Sequence, residues 1–104
     1  MIRHIVLINF KPETSDERVA EIFSLLETVK SQVPQMLRYS SGHSESPEMM
    51  ERGFMHGMVI DFTDWDGLQA YADNGAHKAL GAQLVDCAVG GIDGILVFDY
   101  QFDG

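Results

Sequence analysis

Cysteine is nearly absent from this chain: Cys87 stands alone among 104 residues, so no disulfide can form within it. Positive charge is also sparse. Seven lysines and arginines (7) face 16 aspartates and glutamates, a formal net charge of −9 spread along the sequence rather than gathered in a tail. A chain of that sign repels phosphate backbones and anionic bilayers, so no nucleic acid and no membrane surface is expected as a partner. Long apolar runs are missing too. The opening MIRHIVLINF is too short for a secretory signal, and no stretch approaches the roughly 20 apolar residues that cross a bilayer. The expected location is cytoplasmic. What the chain does have is a 45% hydrophobic content, enough for a single domain over residues 1–104 with one modest core.

Residues 2–10, IRHIVLINF, are rich in β-branched and apolar side chains and stop at Lys11-Pro12, which predicts a strand. Thr14-Ser15-Asp16-Glu17 has the Thr-x-x-Glu form of a capping box. Val19, Ile22, Phe23, Leu26, Val29 and Val33 then recur at helical spacing until Pro34. Residues 36–44 predict a weaker strand, residues 54–62 a strong one, and Thr63-Asp64 caps a second helix. The inward residues of that helix are Leu68, Tyr71 and Ala72, then His77, Leu80, Leu84 and Ala88, with Gly90-Gly91 closing it. Asn74-Gly75 interrupts its middle. This is a poor helical pair, costing up to about 1 kcal/mol at the glycine relative to alanine, and it allows two outcomes: a turn after which His77 begins a new helical stretch over a pocket mouth, or a simple bend of the chain around the sheet. A last strand over residues 92–100 completes a βαββαβ order. That is the pattern of an α+β, ferredoxin-like protomer: a four-stranded antiparallel sheet with both helices on one face.

Strand alternation exposes a difficulty. His4, Val6, Ile8 and Phe10 share the helix side of the first strand and Ile5 and Leu7 the other; the third strand sets His56, Met58, Ile60 and Phe62 against Met55, Val59 and Asp61; the last is read with Leu96 and Phe98 inward and Ile95 and Val97 outward. Both sheet faces are thus apolar, yet the helices cover only one. An uncovered apolar face of that size is unusual on a monomer, so a homodimer through sheet-to-sheet packing is expected.

Three of the four histidines, His4, His56 and His77, fall on the helix side with Tyr71. Each buried imidazole needs a hydrogen-bond partner, and a polar pocket between helix and sheet supplies one. A three-histidine zinc site is not expected, because His4 and His56 lie near the starts of antiparallel strands and hence toward opposite ends of the pair. No HExxH spacing is present, and no metal or other cofactor is expected. The expected pocket lining is Val6, Ile8, Phe23, Leu26, Met58, Ile60, Leu80, Leu84 and Leu96, which suits a small apolar or aromatic ligand. Asp64, Asp66 and Asp73 read as capping or solvated groups, Trp65 as a packing anchor, His43 as peripheral, and Met49 with Met50 as an adaptable loop or pocket cover.

Arg3-His4-Ile5-Val6-Leu7, Phe54-Met55-His56-Gly57-Met58-Val59, Leu68-Gln69-Ala70-Tyr71 followed by Ala76-His77, and Phe98-Asp99-Tyr100 occur in this order across nearly the whole chain. Together they resemble the Dabb family, the stress-responsive dimeric A/B barrel domains. The resemblance implies a ferredoxin-like protomer and a dimer whose sheets pack into a barrel. It also implies roles: a plant polyketide cyclase of the family, olivetolic acid cyclase, has a catalytic tyrosine and histidine that match Tyr71 and His77, and further pocket histidines that match His4 and His56. Two positions depart from the family pattern. Asn74-Gly75 stands where His-Pro is frequent, and Leu26 stands where the cyclase has a pocket tyrosine, which implies a different substrate.

If the chain is an enzyme, the residue types favour acid–base chemistry on a carbonyl compound, with His77 as base and the Tyr71 hydroxyl as donor to the oxygen that gains charge. Cyclisation, isomerisation or decarboxylation all suit. The competing reading is a noncatalytic stable oligomer or ligand-binding module of the stress-responsive kind. Cofactor-independent monooxygenase-like proteins and haem-degrading enzymes on the same barrel form a third class that fold alone does not separate, although no motif here points to them.

Overall fold

Helix α1 (Asp16–Gln32) starts one residue later than the capping pattern suggests. Ser15 is its N-cap, with Oγ accepting from the Arg18 amide at 3.1 Å. The third helical position is therefore Arg18 and not Glu17, so the expected reciprocal box does not form. The computed structural model describes residues 1–104. Around α1 it sets strands β1 (Ile2–Ile8), β2 (Met36–His43), β3 (His56–Phe62) and β4 (Ile95–Gln101), and helices α2 (Trp65–Asp73) and α3 (Gly75–Cys87). The sheet order is β2-β3-β1-β4 with every neighbouring pair antiparallel, a ferredoxin-like α+β fold. No helix is long and apolar enough to cross a membrane.

The helix side of the sheet is the core. Ile2, Val6 and Ile8 of β1, Met36 of β2, and Met58, Ile60 and Phe62 of β3 are buried against Ile22, Leu26 and Val29 of α1, Tyr71 of α2, and Leu80 and Leu84 of α3. Each such side chain contributes roughly 1.5–3 kcal/mol on burial.

The last strand departs from its sequence reading in extent and in phase. Gly91–Gly94 form a short 3-10 turn, so β4 begins at Ile95 rather than Ile92. Gly94 passes so near the preceding chain that a Cβ there would stand 2.4 Å from the Val89 carbonyl oxygen, a close approach open to glycine alone. From this start, the β1 register pairs Val6 with Val97 and His4 with Asp99. Ile95, Val97 and Asp99 therefore face the helices. Leu96, Phe98 and Tyr100 face the other way, and the expected inward placement of Leu96 and Phe98 is reversed. The first strand is also shorter than expected, with Phe10 outside it in an isolated bridge to Ala88.

The outer face reads as three cross-strand rows. One is Arg38, Asp61, Arg3 and Tyr100; the next is Ser40, Val59, Ile5 and Phe98; the third is Gly42, Gly57, Leu7 and Leu96. In the first row buried Asp61 accepts from Arg3 (Nε 2.8 Å, Nη2 2.9 Å) and Arg38 (Nε 2.6 Å), and these guanidiniums hold its pKa below the ordinary carboxylate value. The other two rows are mostly apolar and uncovered: Leu96 is 51% and Phe98 63% exposed.

Candidate active site

The joint between α2 and α3 positions Tyr71 and His77. Asn74 ends α2 and opens α3: its amide donates to the Tyr71 carbonyl at 3.1 Å, and its Oδ1 accepts from the His77 amide at 3.0 Å. Asparagine suits both tasks because its side chain substitutes for the missing helical acceptor, and Gly75 follows as the first residue of the new helix. The Asn74-Gly75 break thus begins a second helix with His77 in its first turn. At the other end of α2, Asp64 Oδ1 accepts from the Gly67 amide at 2.8 Å, the expected cap.

Between α2, α3 and the sheet lies a cavity of about 610 Å³. Its sheet wall is His4 and Val6 of β1, Met58 of β3, and Ile95, Val97 and Asp99 of β4. Its helix wall includes Leu68, Tyr71 and Ala72 of α2 and His77, Leu80 and Leu84 of α3. Trp65, Val85 and Ile92 also line it and are exposed, which puts them at the mouth. Trp65, expected as a packing anchor, is 52% exposed there.

Within this apolar lining the polar groups are clustered. The Tyr71 ring lies 3.9 Å from the His77 ring and 5.3 Å from the His4 ring, centroid to centroid. His4 Nδ1 is 2.5 Å from Asp99 Oδ1, a carboxylate–imidazole pair made across β1 and β4. Tyr71 is only 1% exposed, and its hydroxyl has no hydrogen-bond partner; buried His77 Nδ1 has none either. Burial, with the Asp99 charge nearby, pushes the Tyr71 phenol well above its ordinary pKa, so it stays protonated throughout the neutral range. Burial lowers the His77 pKa, His4 and Lys78 add to the lowering, and the Ala72 backbone opposes it. His77 is therefore neutral at neutral pH. The arrangement presents an O–H donor beside a neutral imidazole in a largely apolar pocket, the elements of proton transfer to and from a carbonyl compound.

The structure brings together His4, Val6, Met58, Tyr71, His77, Leu80 and Leu84 of the residues expected from sequence. It does not bring His56 to them. His4 pairs with Ile60 whereas His56 pairs with Ile8, so His56 sits at the far end of the β1–β3 pair, against Phe10, Phe23 and His43. Ile8, Phe23, Leu26 and Ile60 pack in the core outside the cavity, and Leu96 is on the outer face. Met50 likewise borders the outer face rather than this cavity. The phase expected for β4 hides Asp99; the signal for it is the carboxylate that follows the apolar run Ile95-Leu96-Val97-Phe98, opposite His4 once the register is known.

Comparison with known proteins gives the same fold. The family model described as Stress responsive A/B Barrel Domain (Dabb) matches residues 2–102. The stress-response A/B barrel domain-containing protein At5g22580 of Arabidopsis thaliana is 31% identical over 99 residues, covering 94% of this chain and 83% of its own length. A dimeric ferredoxin-like protein from Jannaschia sp. CCS1 superimposes with a TM-score of 0.91 at 28% identity, covering 97% of this chain and 98% of its own. The hydroxynitrile lyase from Passiflora edulis shares the fold, with a TM-score of 0.82 at 17% identity over 98% of this chain and 93% of its own.

Proposed function

Because the chain belongs to the stress-responsive A/B barrel domain (Dabb) family, we propose that its cavity binds a small apolar or aromatic carbonyl compound and performs acid–base chemistry on it, of the lyase or isomerase type. One observation carries this reading. The Tyr71 hydroxyl and His77 Nδ1 are both buried, neither makes a hydrogen bond of good geometry, and their rings lie 3.9 Å apart centroid to centroid. An unsatisfied buried polar group costs about 1–3 kcal/mol, and two together suit groups whose partner is a ligand.

In the proposed reaction the carbonyl oxygen takes a hydrogen bond from Tyr71, which stays a phenol. His77 removes a proton from the adjacent carbon, and the electron pair moves onto that oxygen as an enolate. The proton returns from His77 to carbon or to a leaving group, as an isomerase, a lyase or an aldol-type cyclase requires. Asp99 orients His4 beside Tyr71, while Val6, Met58, Leu80 and Leu84 supply apolar contact. The fold shared with a hydroxynitrile lyase is compatible with such chemistry.

We also propose that two copies meet through the outer sheet face. The exposed rows containing Phe98 and Leu96 support this, as does the dimeric state of the Jannaschia protein.

The test is deuterium exchange at the α-carbon of a panel of apolar ketones and β-diketones in D2O, followed by NMR. The expected result is exchange accelerated by the protein and lost in His77→Ala and in Tyr71→Phe. Saturable binding without exchange in any compound would leave a ligand-binding module, and acceleration that survives His77→Ala would remove His77 as the base.

A further inference from the structure

We propose that His43 and His56 form a binding site for one divalent transition-metal ion of the zinc, nickel and copper class, on the β2–β3 edge and separate from the cavity of Tyr71 and His77. The two residues are directly paired across adjacent strands, with ring centroids 4.9 Å apart and ring planes at 90°. Directly opposed residues bring their Cβ atoms to about 4.5–5.5 Å. That spacing lets two imidazoles reach one ion through bonds of about 2.0–2.1 Å.

The hydrogen bonding is that of a metal ligand. His43 Nδ1 lies 2.7 Å from the Ser44 carbonyl oxygen. A carbonyl can only accept, so Nδ1 carries the proton and Nε2 keeps its lone pair for an ion; anchoring one ring nitrogen in this way is how proteins fix the tautomer of a ligating histidine. On the other strand, Phe10 and Phe23 flank the His56 ring at 5.1 and 6.4 Å.

Asp16 at the start of α1 lines the same cleft, of about 520 Å³, and its charge acts on His56. The two imidazoles are the protein ligands, Asp16 adds negative charge to the cleft, and water completes the coordination. Two imidazoles without thiolate favour zinc, nickel or copper over magnesium or calcium. A bound ion would tie edge strand β2 to β3 where the 44–55 connection leaves the sheet.

The test uses the tag-free chain titrated separately with zinc, nickel and magnesium chloride, read by calorimetry, thermal unfolding and imidazole NMR. One zinc or nickel per chain, a raised melting temperature, and resonance changes at His43 and His56 but not at His4 and His77 are expected, with no response to magnesium. His43 is exposed, so His43→Ala should fold, which circular dichroism checks. Removing an outer partner of a metal ligand already weakens binding about 10–100-fold, so loss of the ligand should weaken it by at least about tenfold. No stoichiometric binding, unchanged affinity in His43→Ala, or zinc-induced changes confined to His4 and His77 would each overturn the proposal.

Discussion

His4 Nδ1 stands 2.5 Å from an Asp99 carboxylate oxygen, although 95 positions separate the two residues in the chain. The β1–β4 register alone makes this pair. Asp99→Ala strips the 7% exposed imidazole of its partner, a change that costs about 1–3 kcal/mol. Urea unfolding of Asp99→Ala is expected to show a loss of that size; a midpoint equal to the parent's would mean that His4 does not depend on the carboxylate.

Tyr71→Phe separates function from stability. It removes only a hydroxyl that has no partner, so the unfolding midpoint is expected to stay level or rise, while α-carbon exchange is lost. A fall of more than about 1 kcal/mol in stability would show that the hydroxyl does have a partner in solution.

The pH dependence of stability follows from His77 and His56, whose folded-state pKa values both lie below the ordinary value of about 6.5. Between the folded and unfolded values the unfolded chain binds more protons. Stability is therefore full above about 6.5 and declines as pH falls through the window beneath it. Urea midpoints measured from about pH 7.5 down to about pH 5 should show this decline, shallower in His77→Gln, with the His56 share remaining. A flat profile in the parent would contradict both lowered values.

Phe98→Glu places a charge in the middle of the exposed outer row. If two copies meet there, light scattering behind a sizing column should give the dimer mass for the parent and half that mass for the variant, with the circular dichroism unchanged. A parent that elutes as a monomer at every concentration would end the sheet-to-sheet proposal.

Asn74→Ala removes the N-cap of α3, which costs about 0.5–2 kcal/mol. The first turn that carries His77 should loosen, so α-carbon exchange should fall more steeply than stability. Equal exchange rates in parent and variant would show that the cap does not position the imidazole.

The order of strands and helices and the new helix at Asn74-Gly75 were legible because each depends on local pattern: apolar period, caps and breakers. The site was legible only in part. Alternation puts His4 and His56 on one face, and antiparallel pairing puts them at opposite ends of it; the separation that argues against a shared zinc also keeps them out of one pocket, so grouping His56 with Tyr71 and His77 rests on face alone. In β4 even the face was ambiguous, because Ile95 and Val97 are as apolar as Leu96 and Phe98. The phase is decided by the turn at Gly91–Gly94 and by pairing with β1, both tertiary facts, and with it went Asp99. Thr14 and Ser15 are likewise both good caps, and Ser15 is the one whose Oγ accepts from the Arg18 amide.

Trp65 is the only tryptophan in the chain, and it stands half in water at the mouth of the cavity. Indole emission depends on the polarity around the ring, so the molecule carries its own optical gauge of occupancy. A guest that dries the entrance should move that emission toward the blue without any added label, and a library of compounds can be sorted by that colour change before any reaction is known.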